Sequence, residues 1–323
     1  MSTYAQITAV GSYVPERILT NLEMEQMVDT NDEWILQRTG IRERRMARVD
    51  EFTSDLCVGA VRDLVLRSGK SVSDVDLVIV CTHTADFPFP SVSSLIQAKL
   101  GILHAGAFDL NAACAGFAYG LHVANGLISA GLHRKILVVG ADTMSKITDY
   151  TDRTTCILFG DGAGAALVEP SEIKGFLGYH LKSEGQGGNL LYRTGLSKEI
   201  DGTALIDTQK VVQNGREVYK WAVSTVPQGM KTLLENAGMT LAEVDWFIPH
   251  SANLRIIESI CERSGFPMEK TLYSMEYYGN TSAASIPLAL DMGLRAGKVK
   301  SGDTVLIYGF GGGLVQAGIL LRV

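Results

Sequence analysis

The chain has 323 residues, 46% of them hydrophobic and 20% charged, with a formal net charge of −6. Those values describe one large globular domain or two ordinary ones and exclude a disordered chain. The acidic balance excludes general nucleic-acid affinity, which needs concentrated Lys and Arg; basic residues cluster only at Arg42, Arg44, Arg45 and Arg48.

Met1 to Val10 lacks the basic flank and apolar core of a secretory signal, and no apolar run approaches the ~20 residues that cross a bilayer. The five cysteines (57, 81, 114, 156 and 261) are scattered, with no CxxC pair, which predicts reduced thiols and a cytoplasmic setting. The first apolar run, Asp76-Leu-Val-Ile-Val-Cys81, reads as a buried strand. An Ala- and Gly-rich helix should start near Cys114, with Phe117, Leu121, Ala124 and Ile128 at helical spacing. Lys135 to Gly140 and Gly164 to Val168 read as further buried strands, so the alternation implies layered α/β structure. Ser183 to Gln213, polar and rich in Gly, reads as an inserted loop region.

The second half replays the first. Asp74-Val-Asp-Leu-Val-Ile-Val is echoed by Glu243-Val-Asp-Trp-Phe-Ile-Pro, and the Cys114 helix by Asn280-Thr-Ser-Ala-Ala-Ser-Ile-Pro-Leu. The strand pair containing Phe159-Gly-Asp-Gly-Ala-Gly is echoed by Val305 to Gly313. This predicts two pseudo-equivalent halves, 1–172 and 173–323, packed face to face over their small-residue helices. The Gly-rich strings lack the Lys-Ser/Thr of a phosphate loop, so close packing of the halves is the expected reason for most of their glycines.

Three short strings carry chemistry: Asn111-Ala-Ala-Cys114-Ala-Gly-Phe, Ile248-Pro-His250-Ser-Ala-Asn253 and Tyr278-Gly-Asn280-Thr-Ser. Each sets one reactive side chain in a turn that enters a predicted helix. At a helix N-terminus the Cys114 thiol should be acidified, and the unpaired N–H groups there would hold a thioester oxyanion. His250, at a strand's carboxyl end, occupies the usual position for an α/β active site. A thiol nucleophile with two neutral donors, His250 and Asn280, suits acyl transfer to sulfur followed by carbanion attack. A hydrolase triad would need a carboxylate behind an imidazole beside the sulfur, and the Asn280 string contains none. The other five histidines, 83, 104, 122, 133 and 180, read as structural or solvated, and the other four cysteines as core.

Nearly the whole chain resembles β-ketoacyl-acyl carrier protein synthase III, a family of thiolase-fold condensing enzymes that start type II fatty acid synthesis. The resemblance runs through Thr30 to Arg45, Asp152 to Gly164, Pro249 to Arg255, Gly279 to Ser285 and Phe310 to Gly313. It implies a duplicated five-layered α-β-α-β-α fold, with helices buried between two mixed sheets. The family's triad falls on Cys114, His250 and Asn280, and Gly312 would give an oxyanion-hole N–H beside that of Cys114. Trp34 and Arg153 would sandwich the adenine of coenzyme A, with Arg38, Gly215 and Asn253 along the channel. Lys220 and Arg255 would meet the acidic carrier protein, and Phe89 would enter the neighbouring subunit's acyl pocket, which implies a homodimer.

The resemblance further implies an acyl-CoA primer and a malonyl-acyl carrier protein extender, with no metal, nicotinamide or flavin and no nucleic-acid or membrane partner. The wording leans toward Gram-positive members that often take branched primers, but acetyl and branched primers differ by groups worth ~1–3 kcal/mol each in a pocket. The rivals are a condensing enzyme of polyketide or secondary metabolism with the same triad, a silent carrier-protein-binding partner, and a thioesterase-like hydrolase. A biosynthetic thiolase would need a second cysteine in the final glycine string, which this chain lacks.

Overall fold

A computed structural model describes residues 4–323; Met1, Ser2 and Thr3, which begin the N-terminal stretch read above, lie outside it. The first sheet holds β1 (Tyr4–Tyr13), β2 (Leu77–Cys81), β3 (Gly106–Leu110), β4 (Ile136–Thr143) and β5 (Asp161–Ser171) in the order β1-β5-β4-β2-β3. β2 pairs in parallel with both β3 and β4, whereas β5 is antiparallel to β4 and β1, so the sheet is mixed.

The second sheet holds β6 (Phe176–Ser183), β7 (Trp246–Pro249), β8 (Thr304–Gly311) and β9 (Val315–Arg322) in the order β7-β8-β9-β6. Its pairings run parallel, antiparallel, antiparallel, as they do along β2-β4-β5-β1. A single parallel bridge from Phe247 to Thr271 stands where β3 joins β2. The duplication read from the strings is therefore a duplication of topology, with residues 172–175 joining the sheets.

Helices fill three layers. Among the described residues α1 (Asp32–Thr39) lies near the surface, while α2 (Thr53–Ser68) and α3 (Val92–Lys99) cover the outer face of the first sheet. α4 (Gly116–Ser129) and α7 (Ser285–Arg295) are sandwiched between the sheets; α5 (Gly215–Ala237) and α6 (Leu254–Ser264) cover the outer face of the second. Alternation in the strands allows this, since successive side chains point to opposite faces. Ile79 and Cys81 join the central core with Phe117, Leu121, Ile286 and Ile307, while Val78 and Val80 join Leu56 and Leu64 outside. Each such fully buried aliphatic or aromatic side chain contributes about 1.5–3 kcal/mol of burial free energy. α4 and α7 are apolar nearly all round because both flanks meet a sheet. The five layers expected above are present.

Parallel pairing brings the carboxyl ends of β2, β3 and β4 together, followed by His83, Cys114 and the β4 residue Asp142. The parallel β7 and β8 do the same for His250 and Gly311. Ser183 to Gln213, the predicted insertion, contains a 3₁₀ segment at Gly185–Leu190 and two short ladders, Leu191–Tyr192 with Val212–Gln213 and Glu199–Ile200 with Thr203–Ala204.

Candidate active site

After β3 the chain passes Asn111 into a 3₁₀ turn, Ala113–Ala115, and then into α4. Ala113 holds φ 44°, a left-handed conformation that costs a non-glycine residue about 1–2 kcal/mol, and its N–H donates to Asn111 Oδ1 at 3.3 Å. The second half repeats this before α7: the 3₁₀ turn Ser282–Ala284 follows Asn280, Ser282 has φ 52°, and its N–H donates to Asn280 Oδ1 at 2.9 Å. Cys114 and Asn280 thus sit on pseudo-equivalent turns that pack on each other. With Oδ1 occupied, the Asn280 amide presents its N–H groups as donors.

His250 follows β7, and its N–H donates to Tyr308 O at 2.8 Å. The ring lies edge-on to Phe310 at 5.3 Å, is 1% exposed, and has Nδ1 2.7 Å from Ser285 Oγ at the start of α7. The Ser251 N–H donates to Ser285 Oγ at 3.3 Å, and assigning the Ser285 hydroxyl as donor to Nδ1 places the ring proton on Nε2. Burial pushes the ring down to about 3, against a weaker pull from Asp142, so His250 is a neutral donor at physiological pH.

The Cys114 thiol is buried, and the Ser282 hydroxyl donates to Sγ at 3.4 Å. Sulfur, imidazole and amide therefore converge on one stretch, 280–285, through Ser282 and Ser285. β8 supplies the floor: a Cβ on Gly311 would lie 2.9 Å from Cys114 Cβ and 3.0 Å from Sγ, and one on Gly309 would lie 2.6 Å from Ala115 Cα. Close packing between halves accounts for these glycines. Gly312 follows, with the Leu191 carbonyl of the inserted region 3.1 Å from where its Cβ would be.

The expected acidic thiol is overturned. Burial pushes Cys114 up to about 12; the Ser282 hydrogen bond opposes this and the Asp142 charge adds to it. A backbone hydrogen bond at Cys114 also lowers the thiol, by less than removal of the sulfur from water raises it, so the net direction is toward the neutral thiol.

Models of the 3-oxoacyl-(acyl-carrier-protein) synthase III family match residues 108–185 and, for its C-terminal part, residues 234–323. A β-ketoacyl-(acyl-carrier-protein) synthase III 2 of Halalkalibacterium halodurans is 67% identical, covering 98% of this chain and 96% of the relative. The chain belongs to the 3-oxoacyl-(acyl-carrier-protein) synthase III family. The crystal structure of a β-ketoacyl-(acyl carrier protein) synthase III from Thermus thermophilus superposes with a TM-score of 0.95 at 45% identity, over 98% of this chain and 99% of that one. A priming β-ketosynthase of a polyketide biosynthetic pathway gives 0.92 at 38% identity, over 99% and 96%. The synthase III fold is thus a thiolase fold, and the family is one of acyltransferases.

The residues that the family resemblance puts along the coenzyme A channel lie at the periphery. Trp34, on α1, is half-buried, with the Arg153 guanidinium carbon 5.4 Å and that of Arg38 5.7 Å from its ring centroid. Arg153 also donates to Asp29. Its guanidinium rests on the indole itself, closer than the two stacking layers an intervening adenine requires, so a base entering here displaces it. Gly215 opens α5, and Asn253 caps α6 by accepting the Arg255 N–H at 2.9 Å. Arg255 is less free than a rim charge: its Nε donates to Gln37 O at 3.0 Å, tying α6 to α1. Lys220 is exposed and pairs with Glu217 at 2.7 Å. Phe89, 86% exposed, stands on the loop before α3 beside Phe87.

Sequence reasoning passed over Ser282, Ser285, Asp142 and His83. His122, His133 and His180 make peripheral contacts with Tyr179, Asp76 and Tyr308. His83 differs: its Nδ1 is 3.2 Å from Asp142 Oδ2 and 3.5 Å from Ser282 Oγ. The signal available was position, since His83 comes two residues after a strand parallel to the one that leads to Cys114.

Proposed function

We propose that this chain condenses a short acyl-CoA primer with malonyl-acyl carrier protein, by ping-pong through acyl-Cys114, and so initiates type II fatty acid synthesis. The observation that carries the reading is the convergence of Cys114, His250 and Asn280 on the turn 280–285. Sulfur attacks the primer thioester, with the backbone N–H groups of Cys114 and Gly312 stabilising the oxyanion, and coenzyme A leaves. The extender then enters, and the neutral donors His250 Nε2 and Asn280 Nδ2 stabilise the enolate formed as carbon dioxide departs. Neutrality matters, because an imidazolium at His250 would be an acid able to protonate the enolate before the carbon–carbon bond forms. The carbanion attacks the acyl-Cys114 carbonyl and releases the 3-oxoacyl thioester. Protein groups and the thioesters themselves supply all the chemistry, so no metal or redox cofactor is invoked.

Family membership supports the carrier protein as a partner, with Lys220 and Arg255 as the contact, and supports entry of coenzyme A past Trp34, Arg38, Arg153, Gly215 and Asn253. The two halves, 1–172 and 173–323, would contribute the nucleophile and the two donors respectively. Exposure of Phe89 is consistent with a homodimer in which that ring enters the partner's acyl pocket. Among the described residues no helix is long and apolar enough to cross a membrane. All five cysteines are free and buried, which supports a reducing, cytoplasmic setting.

The test is product identity. With acyl-CoA, including branched primers, and malonyl-acyl carrier protein, the enzyme should form 3-oxoacyl-carrier protein and carbon dioxide. Free acid from acyl-CoA alone, without condensation, would make it a hydrolase. The likeness to the polyketide priming synthase keeps a second reading, the same chemistry with another primer, which a primer panel separates.

A further inference from the structure

Arg44 is fully buried and, among the described residues, is the largest side chain to be so. It lies on the strand Glu43–Met46, which pairs antiparallel with Arg17–Thr20. Among the described residues its hydrogen bonds all go to neutral acceptors. Nε donates to Ile157 O at 2.9 Å, Nη2 donates to the same carbonyl, and Nη1 donates to Asn21 Oδ1. Asn21 is anchored in its turn, donating to Asp32 Oδ1 at 2.8 Å and Ile41 O at 2.9 Å. Taking a guanidinium out of water with no anion against it is costly, and burial disfavours its charge, yet the group stays protonated at physiological pH. Two arms of this cation hold one carbonyl.

That carbonyl opens the segment on which Asn280 is mounted. The Asn280 N–H donates to Leu158 O at 2.8 Å, the Gly160 N–H donates to Asn280 O at 3.1 Å, and Phe159 and Asn280 form a parallel bridge. The stem of Arg44 supports the same turn. Gly279 holds φ 70°, and a Cβ there would lie 2.9 Å from Arg44 Cγ and 3.0 Å from Leu158 O. One on Gly160 would lie 2.1 Å from Tyr278 O and 3.3 Å from Arg44 Cβ. Asn280 Oδ1 is already tied to the Ser282 N–H, so the place of Nδ2 follows the backbone of residues 279 and 280. None of the Arg44 hydrogen bonds reaches Cys114, His250 or Ser285.

We infer that Arg44 is a positioning residue for the condensation step: by clamping Ile157 O it fixes residues 157–160, and through them the outward amide of Asn280. This rests on the reading of Asn280 as an enolate donor. Arg44 touches neither thioester and acts only through the donor it places. Placement matters because a donor displaced by ~1 Å can cost ~10² in rate. Acylation uses the sulfur and backbone N–H groups instead, and does not call on Asn280. A planar fork grips a carbonyl with two N–H groups in fixed directions, which a lysine ammonium does not reproduce.

The experiment measures decarboxylation of malonyl thioester per acylatable Cys114, counted by intact mass, in Arg44→Met and Arg44→Lys. Each is made alone and in the Asn280→Ala and His250→Ala backgrounds. Counting acylatable sites means that a variant that is only less stable shows a normal rate per site. Arg44→Met should lose about 10- to 10²-fold in kcat with KM nearly unchanged, and Arg44→Lys less, while both acylate within threefold of wild type at saturating acyl-CoA. Arg44→Met should make no further difference once Asn280 is Ala, and should keep its effect in His250→Ala, because only residues that act together are non-additive. A normal rate per site, equal loss in both half-reactions, or an undiminished loss in the Asn280→Ala background would overturn the inference. Should Arg44→Met leave no acylatable protein, Arg44→Lys decides in the same backgrounds, and a loss below threefold overturns it. Asn280→Ala that decarboxylates like wild type removes the donor reading itself, whatever the Arg44 variants do.

Discussion

The Ser282 backbone N–H donates to Asn280 Oδ1 at 2.9 Å, and this bond decides which end of the amide faces the reaction. The carbonyl end is consumed by the turn, so only N–H donors remain.

Asn280→Ala removes the outward donor without placing a charge beside the buried thiol. It should still acylate but lose about 10²–10³ in malonyl decarboxylation, as expected for one lost enolate donor. Measuring the half-reactions separately checks this; equal loss in both would contradict the role given to Asn280.

Gly311 has no room for a side chain. Its Cβ would meet Cys114 at 2.9–3.0 Å, including the nucleophilic sulfur, on a turn held by Ala113 at positive φ. Gly311→Ala should displace the thiol or cost about 1–3 kcal/mol of stability as overpacking. The readouts are the acylation rate and the unfolding midpoint, and a variant unchanged in both would show that the floor of the site is softer than described.

His250 should make the fold sensitive to acid. Its folded pKa of about 3 lies below its ordinary 6.5, so between those values the unfolded chain binds a proton that the native state refuses. The stability from this group is present above pH 6.5 and lost progressively as pH falls toward 3. Between pH 7 and pH 5 the melting temperature of His250→Asn should therefore fall less than that of wild type. Identical losses would mean that the ring is protonated, or solvated, in the folded protein.

Much of this was legible in the sequence because the fold is duplicated. Asn111 to Phe117 and Asn280 to Ile286 spell the same turn twice, and the buried strands are short apolar runs that only a covered sheet can use. What escaped depends on tertiary packing. His83 lies 199 residues from Ser282 and gains meaning only where the two sheets meet. The thiol's rise was hidden because a helix N-terminus is visible in a sequence and the depth of burial around it is not. Arg255 reads as a free cation until α1 is seen to supply Gln37 O.

The most direct measurement is the intact mass of the protein after incubation with acyl-CoA. One acyl group should be gained, mapping to Cys114, and none should appear in Cys114→Ala. An unmodified wild type, or an adduct on Cys57, Cys81, Cys156 or Cys261, would contradict the account at its foundation.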